Sequence, residues 1–218
     1  VSGDELFASV SEGGELRGGS RPDLESEFAT PTADPLFASV NLGIALEAPS
    51  ITGDALQIYY TGDEGFLEHA ARPDPAQPFA PTGRVVVQNA NLIPGGFQIS
   101  SDGQTLYWID LSDSKLRAAT SVDPGRFNAA RTISTMTVKS LALAPDELRL
   151  YYNAGAEILV STRTTLQRLF EPGTAQAELS AGTRNTPLVI TADDCELYFA
   201  SDRDQANRTD IFRARRGL

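Results

Sequence analysis

Few residues in this 218-residue chain are equipped for chemistry, and their spacing narrows what they do. His69 is the only histidine and Cys195 the only cysteine. A Ser-His-Asp nucleophile needs a histidine base beside its serine. His69 sits in the strand-like run Phe66-Leu67-Glu68-His69, away from any Gly-x-Ser-x-Gly turn; it reads as a surface or interface imidazole. One histidine and one cysteine are too few for a zinc site of the usual kind. Cys195 lies in a turn before a strand with no basic neighbour to lower its pKa. It reads as a small turn-filling side chain, and a lone cysteine forms no intrachain disulfide. No cofactor is expected.

Carboxylates are the one abundant reactive group, 29 of them against 18 Lys and Arg, for a formal charge of −11 and a pI near 4.5. Phosphate recognition needs a basic footprint, so this balance excludes nucleic acid as a partner. It disfavours anionic membrane surfaces equally, and no apolar run reaches the length of a membrane span. Asp202, Arg203, Asn207 and Asp210 offer oxygens to calcium; the plainer expectation is that Arg203 pairs with a neighbouring carboxylate. Arg213, Arg215 and Arg216 form a small basic cluster, expected on a solvated strand face. The chain opens on Val1 rather than Met, so a processed or trimmed N-terminus is expected, with any export signal upstream of it.

The elements that position these groups recur. A strand centre aligns on Leu6, Ile58, Leu106, Leu150 and Leu197, at intervals of 52, 48, 44 and 47 residues, each followed by one or two aromatics. Aromatic residues suit a pleated, half-buried surface. Before four of these centres stands an apolar residue, two small or polar residues, then an acid: Asp54, Asp102, Asp146 and Asp193. A catalytic acid is needed once, so four recurring ones are turn acids, each accepting a backbone N–H and tolerating left-handed geometry. A third strand aligns on Leu16, Leu67, Leu116, Ile158 and Ile211. From its end, Arg21 to Phe28, Arg72 to Phe79 and Arg163 to Phe170 are each seven residues, whereas the copy ending at Phe127 is one shorter. Prolines between mark non-helical connectors. Four strands per period of about 48 and no crossover helices predict an all-β fold, a β-propeller.

The segment Asp193 to Arg215 resembles the TolB-type, WD-repeat-like propeller repeat: an S-P-D-G-like turn, then L-Y-F-x-S-x-R, then D-I-x. Ala144-Pro145-Asp146, Ser101-Asp102-Gly103, Leu197-Tyr198-Phe199-Ala200-Ser201-Asp202-Arg203 and Asp210-Ile211-Phe212 carry the likeness. The expectation is one propeller domain over residues 1–218, with five blades of four-stranded antiparallel sheet and incomplete first and last copies. The repeats span about 1–45, 46–92, 93–136, 137–183 and 184–218. The resemblance implies an exported setting, periplasmic, envelope-associated or extracellular, and protein partners. The strand before each acid turn is then innermost, and Glu47, Lys139, Arg184 and Asn185 fall at the channel mouth as candidate ligand-binding residues. Only Glu47 is acidic there, whereas a glycosidase needs a pair of carboxylates. The reading is therefore a monomeric, non-enzymatic binding or scaffold module for a protein, peptide or glycan. The alternative is a carbohydrate-active hydrolase or lyase with carboxylates at the axis.

Overall fold

A computed structural model of the chain describes residues 7–24, 26, 28–30, 32, 34–41, 47–90, 94–204 and 208–215. No α-helix occurs among them, only strands and three single-turn 3-10 segments. The first repeat forms a two-stranded hairpin, β1 (Phe7–Glu12) and β2 (Glu15–Ser20). The second is a four-stranded meander of β3 (Glu47–Ile51), β4 (Gln57–Thr61), β5 (Leu67–Ala71) and β6 (Ala80–Arg84). After the short β7 (Val86–Val87), the third sheet contains β8 (Pro94–Ile99), β9 (Thr105–Asp110), β10 (Lys115–Asp123) and β11 (Arg126–Phe127) in the order β7-β11-β10-β9-β8, and β12 (Arg131–Thr132) pairs with β10. The fourth is β13 (Ser140–Leu143), β14 (Arg149–Asn153), β15 (Ile158–Thr162) and β16 (Thr174–Ala175). The fifth has three strands, β17 (Asn185–Ile190), β18 (Glu196–Ser201) and β19 (Asp210–Arg215).

These antiparallel meanders have the arrangement of propeller blades, but the described residues build four blades of three or more strands, not five. The first copy falls short because β1 and β2 gain only an isolated bridge, Gly18 to Thr32, beyond their own pairing. Leu6 lies outside the described residues. The strand centres explain the aromatic doublets. Both faces of such a sheet are covered, so neighbouring residues on one strand are buried together: Ile58, Tyr59 and Tyr60 are at most 2% exposed. Each fully buried Leu or Ile stabilises by about 1.5–3 kcal/mol.

The chain divides into two compact units, Val1–Tyr107 with Ala119–Ala130, and Trp108–Ala118 with Arg131–Leu218. In the first, Leu16, Phe37, Ile51, Ile58 and Phe79 share a core, and the Phe37 and Phe79 rings stack at 5.4 Å. In the second, Ala142, Ala144, Ile190 and Leu197 form the core between the fourth and fifth sheets, with Tyr151 and Leu179 packed on it.

The four recurring acids make one turn four times. Oδ1 of Asp54, Asp102, Asp146 and Asp193 accepts the N–H of Leu56, Gln104, Leu148 and Cys195, each at 2.9 Å. Thr52, Ser100 and Thr191 add a hydroxyl donor at 2.6 Å, which Ala144 lacks. The left-handed residue is not the acid itself but the one after it: Ala55, Gly103, Glu147 and Asp194 have φ of 58°, 71°, 59° and 60°. An Asx turn engages the N–H two residues on, which puts the reversal at the position between.

The seven-residue spacing also has a physical cause. Arg21, Arg72 and Arg163 are at most 6% exposed, and their guanidinium groups lie 4.7, 4.2 and 4.6 Å from the ring centroids of Phe28, Phe79 and Phe170. Nε of Arg72 and Arg163 donates to the carbonyls of the left-handed residues Ala55 (2.7 Å) and Glu147 (2.9 Å). Arg72 and Arg163 thus join the acid turn to the outer connector of their own blades. Backbone bonding identifies Ser121 as the equivalent position in the third sheet, since Arg72, Ser121 and Arg163 donate N–H to Leu56, Gln104 and Leu148. There, where the arginine is missing, the connector is one residue shorter.

Candidate functional site

The first strands of the fourth and fifth sheets bring three of the four candidate ligand-binding residues together. Asn153, at the end of β14, is the hub. Its carbonyl accepts the Lys139 N–H at 2.8 Å, and its side-chain amide donates to the Asn185 carbonyl at 2.8 Å. Ser140 Oγ donates to Asn153 Oδ1 at 2.8 Å. Asn185 is buried and spent on the framework: Nδ2 donates to the Ala156 carbonyl at 2.8 Å, and Oδ1 accepts from Ser201 Oγ at 2.7 Å. Arg184 is fixed by its backbone, whose N–H reaches Asp202 Oδ1 at 2.9 Å. Asp202 also takes the Thr183 N–H and hydroxyl. These donors, the Thr183 hydroxyl foremost, hold its carboxyl down at about 2.

Buried amides and a thrice-bonded carboxylate therefore pin the backbone on which Lys139 and Arg184 stand, while both side chains are exposed. Among the described residues no carboxylate pairs with either. Glu47 opens β3 opposite Thr61, in the other compact unit.

No protein-family model matches the chain, and no curated protein does. Solved structures do. A putative TolB from Agrobacterium tumefaciens is 18% identical, with 87% of this chain and 61% of that one covered, at a TM-score of 0.53. TolB from Acinetobacter baumannii is 11% identical over 97% of this chain and 52% of that one, at 0.51. A putative 6-phosphogluconolactonase from Bacteroides fragilis is 16% identical over 97% and 64%, at 0.52. The fold is that of a β-propeller, as in these structures. The chain spans about half to two thirds of the length of these propellers.

The remaining candidates take structural places in the propeller. His69 is not at the surface but 1% exposed, in β5 opposite Tyr59. A third strand covered on both faces buries it. Nδ1 meets Thr82 Oγ1 at 2.6 Å and Nε2 meets Gln57 Oε1 at 3.2 Å. Burial holds this imidazole down at about 4, hence neutral, and pushes the Tyr59 phenol up to about 12. Among the described residues Arg203 pairs with no carboxylate. It lies over the Phe199 and Phe212 rings and donates Nη2 to the Leu179 carbonyl at 2.8 Å. Asp210 pairs with Arg208 at 3.0 Å, Asn207 lies outside the described residues, and no group of three metal-ligating side chains occurs among those described. Arg213 and Arg215 are not merely solvated, because both approach Glu196 Oε1, at 3.8 and 2.7 Å. Arg216 lies outside the described residues.

One feature has no counterpart in the sequence pattern: a cavity of about 360 Å³ within the second unit, at the acid-turn end of the fourth and fifth sheets. Tyr151, Leu179, Ile190 and Leu197 supply its apolar wall. Glu178, Asp194, Glu196 and Arg215 supply its charges, and Cys195 is exposed on its lining. The only sequence signal for it is the double acid Asp193-Asp194, of which the first caps the turn and the second faces the cavity.

Proposed function

We propose that this propeller is a non-enzymatic binding module that holds an acidic segment of a protein partner against Lys139 and Arg184. The observation that carries this reading is the investment of buried polar groups beneath two exposed cations in a chain of charge −11. Preorganised charges raise association rate and specificity more than raw affinity. Asp202 beside Arg184 accepts three N–H and hydroxyl donors, which supports a framework role for it over that of a general acid. The TolB-type repeat favours an exported setting, and a monomer is the working state.

An array of acidic, neutral and basic peptides tests it, followed by fluorescence anisotropy on the best acidic sequence. The Lys139→Glu/Arg184→Glu double variant is expected to weaken binding about tenfold or more, and raised salt to weaken it further. Selection of neutral or basic peptides, or unchanged affinity in the double variant, would refute the reading.

A further inference from the structure

We propose that the cavity between the fourth and fifth sheets is a second binding site, for an organic cation on a short apolar stem, as in an arginine or lysine side chain. It is separate from the Lys139–Arg184 surface and does not depend on it. Its volume, about 360 Å³, lies at the lower end of the roughly 300–1,000 Å³ of small-molecule sites. Its wall combines the two things such a ligand needs.

The apolar part is the Tyr151 ring with Leu179, Ile190 and Leu197, continuous with the core cluster of the two sheets. An alkyl stem loses water against that wall, and an aromatic face also attracts a cation. The charged part is three carboxylates and one guanidinium on the lining, with Arg149 and Arg213 pairing with Asp194 and Glu196 from beside it. Glu196 is buried to 10% side-chain exposure, and its nearest partner, Arg215, is 58% exposed. Asp194 pairs with Arg149. Glu178 is exposed, and its carboxylate makes no hydrogen bond or ion pair among the described residues. A cation therefore meets one unengaged carboxylate and two more behind it. An anion would have to take Arg215 from Glu196 at 2.7 Å while facing Glu178, and a neutral ligand would leave the Glu178 carboxylate without a counter-charge.

Cys195, the only cysteine and on the cavity lining, is a built-in reporter. The reaction rate of its thiol with neutral 4,4′-dithiodipyridine is measured against increasing argininamide or Nα-acetyl-lysinamide, at constant ionic strength. Saturable slowing is expected with both cations. 1-Pentanol, with the stem and no charge, and N-acetyl-glutamate amide should not slow the reaction at the same concentrations. Glu178→Gln, a surface change that leaves the fold alone, should weaken the protection about tenfold, the effect of removing one charged hydrogen-bond partner. Glu157→Gln, exposed elsewhere on the same unit, should leave it unchanged. Absence of saturable protection, equal protection by pentanol or the glutamate amide, or an equal effect of the two glutamine variants would each overturn the proposal.

Discussion

Replacing Arg163 by methionine separates what its charge contributes from what its stem fills. Methionine keeps most of the buried apolar volume and removes the guanidinium. Three contacts go. Nε no longer donates to the Glu147 carbonyl at 2.9 Å, a charged hydrogen bond of about 1.5–3 kcal/mol. Nη1 leaves the Leu166 carbonyl at 3.2 Å, but that oxygen keeps Arg131 Nη2 at 2.9 Å, so little is lost there. The cation leaves the Phe170 ring at 4.6 Å, worth about 1–2 kcal/mol when desolvated. Relief of the guanidinium's own desolvation offsets about 1 kcal/mol. The expected net loss is about 1.5–4 kcal/mol. Arg163→Lys, which keeps the charge but not the fork, should lose about half as much. Urea denaturation followed by circular dichroism and Trp108 fluorescence measures each variant. A double-mutant cycle with Phe170→Leu isolates the ring contact, with an expected coupling of about 1 kcal/mol or more. An Arg163→Met variant within about 0.5 kcal/mol of wild type, or a coupling indistinguishable from zero, would refute the reasoning for all three copies that carry the pair.

Two further outcomes follow from the turns and the buried histidine. Glu147 holds φ of 59° without being glycine, so Glu147→Gly should raise stability by about 0.5–1 kcal/mol, measured as a higher urea midpoint. His69 titrates at about 4 when folded, below its ordinary 6.5; its stabilising effect is present above pH 6.5 and is lost as pH falls from there through about 4. The full loss is about 3 kcal/mol, and the fall in urea midpoint between pH 7.5 and 4.5 should flatten in His69→Gln.

The strand centres, the acid turns and the arginine–phenylalanine interval were legible because each is fixed within one blade and repeated, so that local chemistry shows through as period. What resisted reading depends on contact across sheets or on neighbours distant in sequence. His69 is buried by Thr82 and Gln57, thirteen and twelve residues away. Ile211 aligns with Leu67 and Ile158, which are 1% and 0% exposed, yet it is 65% exposed because its face of the fifth sheet is open there. The hub at Asn153 left no sequence mark, since an asparagine at a strand end looks like any loop residue. The cavity joins a connector to three strands of the following sheet, and no spacing in the chain announces that.

The arginine stacks also set which parts of the chain are free to change length. Six residues separate each arginine from its phenylalanine, and the three fillings, Pro-Asp-Leu-Glu-Ser-Glu, Pro-Asp-Pro-Ala-Gln-Pro and Thr-Thr-Leu-Gln-Arg-Leu, share almost no composition. Among the described residues, the loop between the two central strands is spanned by an arginine stack only in the fifth sheet, where Arg203 lies over Phe212. It runs to five residues after β4, four after β9 and β14, and eight after β18. Insertions, epitope tags and drift over evolutionary time should therefore accumulate in the central hairpin loops, while the outer connectors vary in sequence at constant length.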